Sequence, residues 1–188
     1  MTNFYVEDMV NKIIDNDEIE SILPKINDFY NEIFSLIYTY SHHTISSNYI
    51  ARLLIDGTNK IAFRCIDMEF RLENCPSILI YRKYYKKETN EIIYYMLMIC
   101  TKQKFKKFGY ASKLLDDFIQ YIKNKHTENR EKFSKIKIVL SSVESAVTFY
   151  ESYGFKWIRD ESLLSHNILM QYEKYEEGKE YFMMELCI

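Results

Sequence analysis

The 188-residue chain contains only two prolines and four glycines, and no segment of it is rich in either residue. Nothing therefore marks a flexible linker between separate modules. A hydrophobic content of 47% with 28% charged residues excludes an intrinsically disordered chain. We expect a single domain over residues 1–188, with a helical N-terminal segment (1–50) and a core (60–188) large enough to bury many side chains.

Cysteine is also scarce and scattered. The four cysteines, at positions 65, 75, 100 and 187, form no Cys-x-x-Cys pair and have no histidine close by in the sequence. This pattern favours reduced thiols in an intracellular, cytoplasmic protein over a disulfide framework, and it predicts no metal site.

Long apolar runs are absent as well. The longest run, Ile92–Cys100, is far shorter than the roughly 20 residues that a membrane-spanning helix needs. The first ten residues carry acids and lack the basic and apolar pattern of a secretory signal. We therefore expect a protein with no membrane partner.

Charge of both signs is present but unevenly distributed, although the net charge is only −2. Residues 82–137 hold 15 Lys or Arg against 6 Asp or Glu, which leaves 10 against 21 in the rest of the chain. A basic middle fits an anionic ligand and an acidic remainder a cationic one, unless the lysines only solvate helices and a loop. Because the aromatic residues are mixed with acids, we expect no nucleic-acid partner.

Periodicity in the sequence predicts the secondary structure. Helical spacing of apolar residues predicts helices over 4–41, 109–125 and 143–153. Runs rich in Ile, Tyr and Phe predict strands at Lys60–Glu69, Ser77–Lys86, Glu91–Thr101, Lys135–Leu140, Phe155–Arg159 and Glu180–Leu186. Residues 160–176 fit either a helix or a long loop with one strand. The order predicts a mixed α/β fold with helices on the faces of one sheet.

Gly109 stands where a predicted strand meets a predicted helix, and four lysines (102, 104, 106 and 107) precede it. A glycine there lets a ligand approach the backbone, while the free N–H groups and the positive end of the helix face that ligand. Together with the lysines they predict an anion site, most simply for phosphate, unless the glycine serves only a tight turn. The nucleotide-binding patterns G-x-x-x-x-G-K and G-x-G-x-x-G are absent.

A second segment, Ser141–Phe155, predicts a short helix between two strands. Ser141 and Glu144 have the spacing of a capping box, in which the side chains satisfy N–H groups at a helix start. Gly154 is predicted to be the residue that ends this helix.

The two segments together resemble the GNAT superfamily of acyl-CoA-dependent N-acetyltransferases, and the resemblance covers about residues 60–186. The positions that match its pyrophosphate loop and its downstream motif are Lys106, Gly109 and Ala111, then Ala146, Tyr150, Gly154 and Phe155. The resemblance implies a single mixed, mostly antiparallel sheet flanked by helices. It also implies direct transfer of the acetyl group of acetyl-CoA to a primary amine of a small molecule or peptide.

The resemblance further implies roles for individual residues. The predicted cofactor-binding residues are Ile99, Cys100, Thr101, Lys106, Lys107, Phe108, Gly109, Tyr110, Ala111 and Ser112. Tyr150 matches a tyrosine that donates a proton to the departing CoA thiolate in many members. Acid-rich segments outside the motifs favour a cationic amine, and the N-terminal helices would cover the amine site or form a homodimer contact.

The sequence departs from the family pattern at several positions. Lys106 replaces an Arg or Gln, and Val143 replaces an asparagine that bonds CoA, for which Ser142 or Ser145 could substitute. Isoleucines occupy the two positions where common subfamilies keep a carboxylate base, Ile93 and Ile138. The remaining base candidates are Glu69, Glu73, Glu161 and His166, or a water relay. The alternative function is therefore a catalytically degenerate CoA-binding or protein-interaction module.

Overall fold

The computed structural model describes residues 2–5, 14, 19–40, 46–67, 71–127, 132–159, 166–172 and 180–188. Its helices are α1 (Ile19–Tyr40), α2 (Ser47–Ile55), α3 (Tyr110–His126), α4 (Glu144–Glu151) and α5 (Asn167–Tyr172). Its strands are β1 (Thr2–Tyr5), β2 (Lys60–Cys65), β3 (Ser77–Lys86), β4 (Glu91–Thr101), β5 (Lys135–Val143), β6 (Lys156–Trp157) and β7 (Tyr181–Cys187). Short 3₁₀ turns lie at Leu72–Asn74 and Gln103–Phe105.

The strands form one seven-stranded sheet in the order β1-β2-β3-β4-β5-β7-β6. The sheet is mostly antiparallel and carries helices on its faces, which confirms the predicted mixed α/β fold. Its parallel pair is β4 with β5, whose register runs from Glu91 opposite Lys135 to Tyr95 opposite Val139. Beyond Tyr95, β4 continues to Thr101.

The N-terminus differs from the sequence prediction. Thr2–Tyr5 is a strand that pairs antiparallel with β2, although residues 4 and 5 fell within a predicted helix. A short run with a Phe and a Tyr has strand propensity, and the edge of β2 supplies the hydrogen-bonding partner that fixes it. Val10 and Ile13, the start of the first predicted helical stripe, lie outside the described residues.

Helix α1 confirms the second predicted stripe, since Ile33 and Ile37 are fully buried. The helix that follows, α2, was not predicted. It begins after Ser46, whose hydroxyl accepts the N–H of Tyr49 at 3.2 Å. Among the described residues, no helix combines the length and apolar character needed to cross a bilayer.

The chain divides into two compact units, one of residues 1–80 with 98–117 and the other of residues 81–97 with 118–188. The core of the first unit is aliphatic around one large ring, with Ile33, Ile50, Leu53, Phe63 and Ile78 fully buried. The large area of apolar surface removed from water in this core is its main stabilising term.

The core of the second unit is aromatic. Tyr81 packs on Phe118 with ring centroids 4.6 Å apart, and Tyr94 meets Phe118 edge to face at 6.1 Å. The buried Tyr94 hydroxyl is hydrogen-bonded to Nε2 of His126 at 2.8 Å, so its polar end is satisfied inside the core. Burial, together with the charges of Lys83 and Lys125, lowers the pKa of His126.

Two cysteines correct the prediction of reduced thiols. Cys65, at the end of β2, and Cys75, just before β3, form a disulfide and are both fully buried. The remaining cysteines, Cys100 and Cys187, are free thiols. The sequence did not indicate this pairing because neither cysteine belongs to a short motif. Only the folding of the chain between β2 and β3 brings the two cysteines together.

Candidate functional site

The junction of β4 and α3 has the backbone that the glycine predicted. After the 3₁₀ turn Gln103–Phe105, the chain turns through residues 106–109, and Lys107 and Gly109 have φ of 68° and 77°. A side chain at Gly109 would be strained by this left-handed conformation. A Cβ placed there would meet no atom within 4 Å, so space is open beside the backbone.

Helix α3 begins directly after Gly109. Its first turn contains Tyr110, Ala111 and Ser112, all half-buried, and it carries no acidic residue. The first N–H groups of a helix have no partner within the helix and carry partial positive charge. With the exposed Lys106 and Lys107 beside it, this end of α3 is suited to an anion.

The end of β4 provides the other predicted cofactor residues in the same unit. Ile99, Cys100 and Thr101 are half-buried, and the Thr101 hydroxyl lies 2.7 Å from that of Ser77 on β3. Burial raises the pKa of the Cys100 thiol to about 12, although the charge of Lys106 opposes this. The thiol is therefore neutral at physiological pH, which argues against a nucleophilic role.

Tyr150 lies in the last turn of α4, in the second unit. It is 8% exposed and packs edge to face on Phe149 and Phe155, with ring centroids 5.1 Å and 5.7 Å away. Burial raises its pKa to about 12. Because the neutral phenol is favoured, Tyr150 keeps its proton at physiological pH and can donate it.

Gly154 ends α4 as predicted. Its φ is 88°, and the N–H groups of Gly154 and Phe155 donate to the carbonyl oxygens of Glu151 and Tyr150 at 2.9 and 3.2 Å. This pattern satisfies the last carbonyls of the helix. The carbonyl and backbone of Tyr150 are thus held by the turn that the glycine makes possible.

The predicted capping box is wrong. Ser141 lies within β5, and α4 begins at Glu144 with Val143 as its N-cap, which makes no side-chain hydrogen bond. The reason is that pairing with β7 extends β5 to Val143, opposite Tyr181. The buried Ser141 hydroxyl bonds no group among the described residues, and the sequence did not single it out as a ligand-binding group. Ser142 donates to the Val143 carbonyl at 2.9 Å.

The structure describes two of the four base candidates. Glu73 is exposed in the first unit, whereas Glu69 and Glu161 lie outside the described residues. His166 is buried in the second unit, and its Nδ1 lies 3.0 Å from the hydroxyl of Tyr95. The residues of β4 and β5 at the two family base positions, Ile93 and Ile138, are buried in the core and offer no proton acceptor.

A cavity of about 1030 Å³ lies within the first unit. One part of its lining is a polar face of α1 from Asp28 to Leu36, at three- and four-residue spacing. Leu72 and Glu73, together with Lys102–Lys104 of the loop after β4, complete it. The cavity therefore adjoins the loop that leads to Gly109.

Comparisons with known proteins agree with this geometry. The family model for the acetyltransferase (GNAT) domain matches residues 85–176, a segment that includes Gly109, Tyr150 and His166. No curated protein matches the sequence.

Solved structures share the fold at low sequence identity. Tetrahymena GCN5 is 12% identical over 86% of this chain and 87% of its own, with a TM-score of 0.54. The ribosomal-protein-S18-alanine N-acetyltransferase from Escherichia coli is 14% identical over 82% and 87%, with a TM-score of 0.53. Arabidopsis thaliana Naa50, in complex with the bisubstrate analogue CoA-Ac-MVNAL, is 13% identical over 99% of both chains, with a TM-score of 0.51.

At these identities the structures establish the fold alone. The match of residues 85–176 to the acetyltransferase (GNAT) domain, together with this fold, supports membership of the GNAT superfamily.

Proposed function

We propose that this chain transfers the acetyl group of acetyl-CoA directly to a primary amine of a small molecule or peptide. The proposal depends on the backbone at Gly109, which has a left-handed φ and open space beside it directly before α3. Within this superfamily's fold, that opening fits the pyrophosphate of CoA.

The predicted cofactor residues divide between two tasks. Residues 106–112 bind the pyrophosphate through backbone N–H groups and the charges of Lys106 and Lys107. Ile99–Thr101 offer backbone groups to the pantetheine arm. The register of β4 with β5 ends at Tyr95, so the last residues of β4 lie beyond the paired stretch.

Tyr150 supplies the proton for the leaving group. Attack of the amine on the thioester expels a thiolate, and a neutral phenol within reach stabilises the developing negative charge. The pKa of about 12 keeps the phenol protonated until the thiolate forms. We find no hydrogen bond to this hydroxyl among the described residues, so its proton is not committed to a neighbour.

We assign the proton of the attacking amine to His166. Of the two described base candidates, His166 is the one in the same unit as Tyr150. It contacts Tyr95, the last residue of β4 that pairs with β5. The hydrogen bond to Tyr95 fixes the ring orientation, as a catalytic histidine requires. The pair therefore acts as proton acceptor and positioning group.

The acceptor class is drawn from two observations. The cavity in the first unit is lined by three carboxylates, on Asp28, Glu32 and Glu73, against the two lysines Lys102 and Lys104, and its acidic face on α1 favours a cationic amine. Among proteins of the same fold, the E. coli enzyme is named for a protein alanine, and the Naa50 complex contains a peptide-like analogue. Amino-terminal peptides and polyamines are therefore the first acceptors to assay.

Two measurements, made one after the other, test the proposal. A thermal-shift titration with acetyl-CoA establishes binding, and release of the CoA thiol with a panel of peptides and amines establishes turnover. We expect a concentration-dependent rise in Tm and thiol release with at least one amine. Gly109→Glu is the matched control, because its charge and bulk should abolish both.

The same experiment distinguishes the alternative function. Binding without turnover on any amine would favour a CoA-binding or protein-interaction module, for which Val143, Ile93 and Ile138 give sequence support. No stabilisation at millimolar acetyl-CoA would contradict both functions.

A further inference from the structure

The disulfide between Cys65 and Cys75 closes the segment between β2 and β3, called here the 66–74 loop. Within the loop, the N–H of Ile66 donates to the Asn74 carbonyl at 3.0 Å, and the Asn74 amide donates to Asp67 at 2.6 Å. The disulfide thus stands beside the described ends of the loop, residues 66–67 and 71–74, which these hydrogen bonds join to each other.

The loop is bonded to the segment that follows β4. Nζ of Lys102 donates to the carbonyl oxygens of Leu72 and Glu73 at 3.0 and 2.7 Å. The backbone N–H of Lys102 donates to the carbonyl of Pro76 at 2.9 Å, directly after the disulfide. Lys102 therefore couples the 66–74 loop to the chain that leads into the predicted pyrophosphate loop.

The environment of Lys102 makes this coupling sensitive to loop position. Burial and the charge of Lys104 lower its pKa to about 8, while Glu73 partly opposes the change. Its ammonium group is thus partly desolvated, and the two carbonyl oxygens are among the groups that compensate for the lost water. If the loop moves, those bonds break and the lysine must rearrange with it.

We propose that Cys65–Cys75 is a thiol–disulfide exchange site whose oxidation state sets the affinity of residues 106–112 for acetyl-CoA. The proposal rests on the proposed function, because it assigns the cofactor to residues 106–112. In the exchange, a dithiol reductant transfers two electrons and two protons, the S–S bond breaks, two cysteine thiols form, and the reductant closes its own disulfide.

Reduction of the disulfide is expected to weaken acetyl-CoA binding because the bond constrains the chain on either side of it. The disulfide restricts the two ends of the 66–74 loop, and its loss increases the number of conformations that the segment 71–74, which holds the acceptors of Lys102, can adopt. The loop would then hold Lys102 less firmly, and acetyl-CoA binding would have to order it again, which weakens affinity. Because both cysteines are fully buried, the reductant reaches the bond only when the loop opens locally.

Thermodynamic linkage supplies a second, independent readout. If the disulfide favours acetyl-CoA binding, then bound acetyl-CoA must favour the disulfide by the same factor. Saturating acetyl-CoA should therefore slow reduction of Cys65–Cys75 by dithiothreitol and lower the reduced fraction at equilibrium.

The test is isothermal titration calorimetry, in which acetyl-CoA is titrated into oxidised protein and into protein that has been reduced with dithiothreitol and then desalted. Acetyl-CoA has no free thiol, so the ligand itself does not reduce the disulfide. Alkylation and mass spectrometry verify each state, with two thiols modified in the oxidised protein and four in the reduced one. We expect reduction to weaken binding about fivefold or more, the lower end of typical couplings between sites. The double variant C65S/C75S should match the reduced protein and ignore the reductant.

Cys187→Ser is the matched control, because it removes an exposed thiol and should keep the full response. The proposal is overturned if oxidised and reduced protein bind equally, if C65S/C75S binds like the oxidised protein, or if the bond resists dithiothreitol under native conditions. Absence of acetyl-CoA binding in every form would instead overturn the proposed function beneath it.

Discussion

The hydroxyl of Tyr95 lies 3.0 Å from Nδ1 of His166, and both side chains are buried in the second unit. The neighbouring Tyr94 makes an equivalent bond to His126 at 2.8 Å. Since successive residues of a strand point to opposite faces of the sheet, the two pairs lie on opposite faces of β4. The Tyr94–His126 pair lies in the core formed with Phe118. The Tyr95–His166 pair is the one to which we assign the amine proton.

His166→Gln tests the base assignment. Loss of a general base should lower kcat/KM about a hundredfold or more. His126→Gln is the matched control, since it breaks a similar buried bond and costs about 1 kcal/mol of stability without this kinetic effect. If the two variants lose activity equally, His166 has only a structural role.

Tyr150→Phe tests the acid. Removing the hydroxyl should lower kcat by about a hundredfold while the KM for acetyl-CoA changes little, because the proton is needed mainly as the thiolate develops. Phe149→Leu, a change to the adjacent ring, controls for altered packing. Full turnover by Tyr150→Phe would remove the assigned role.

The raised pKa of Tyr150 adds a prediction about pH. An exposed tyrosine has a pKa near 10, and burial raises that of Tyr150 to about 12, so the folded protein keeps the donating form to higher pH. The wild-type kcat should therefore not fall between pH 8 and 10 through loss of this proton. A stopped assay of kcat across that range checks the prediction. A fall in the wild-type kcat that Tyr150→Phe does not show would contradict it.

Gly154→Ala tests the turn that ends α4. A Cβ there would lie at an ordinary 3.7 Å from Leu186 Cδ1, so the expected cost of about 1 kcal/mol comes from the φ of 88°. Gly57→Ala is the matched control, because nothing lies within 4 Å and its φ is not left-handed. Urea unfolding of both variants checks this, and equal stability of the two would contradict it.

Glu185→Gln tests the ion pair across β5 and β7. Burial acts to raise the pKa of Glu185, but the hydrogen bond and charge of Lys137, with Lys135, outweigh it and lower the pKa. The variant leaves the buried Lys137 without its carboxylate and should cost about 2 kcal/mol at pH 7.

The pH dependence of that cost follows from the direction of the shift. A carboxyl whose pKa is lowered on folding stabilises above its unfolded pKa, and the effect is lost as pH falls through the folded value. The difference between wild type and Glu185→Gln should thus shrink below about pH 4.5, and Glu151→Gln, at an exposed position, is the matched control for removing one carboxylate. A constant difference down to pH 3 would exclude the ion pair as its cause.

The sequence predicted the elements whose pattern is local. The strands Ser77–Lys86 and Glu91–Thr101 have the predicted bounds, because turn residues delimit two apolar runs. The glycines at 109 and 154 were also identified, since each adopts a positive φ that few other residues tolerate.

Features that depend on tertiary partners were missed. Strand β1 exists because it pairs with β2, and the end of β5 at Val143 is set by pairing with β7. The disulfide and the bond between Tyr95 and His166 join residues 10 and 71 positions apart, which no local pattern records. For the two described base candidates, only the fold shows that His166 is buried beside Tyr95 whereas Glu73 is exposed.

Binding of acetyl-CoA at the start of α3 is measured by an amide NMR titration with acetyl-CoA. We expect the N–H signals of residues 106–112, Gly109 above all, to shift with increasing acetyl-CoA and saturate, and Gly109→Glu to abolish the shifts. Saturable binding that leaves these signals unmoved, or no shift anywhere at millimolar acetyl-CoA, would contradict it.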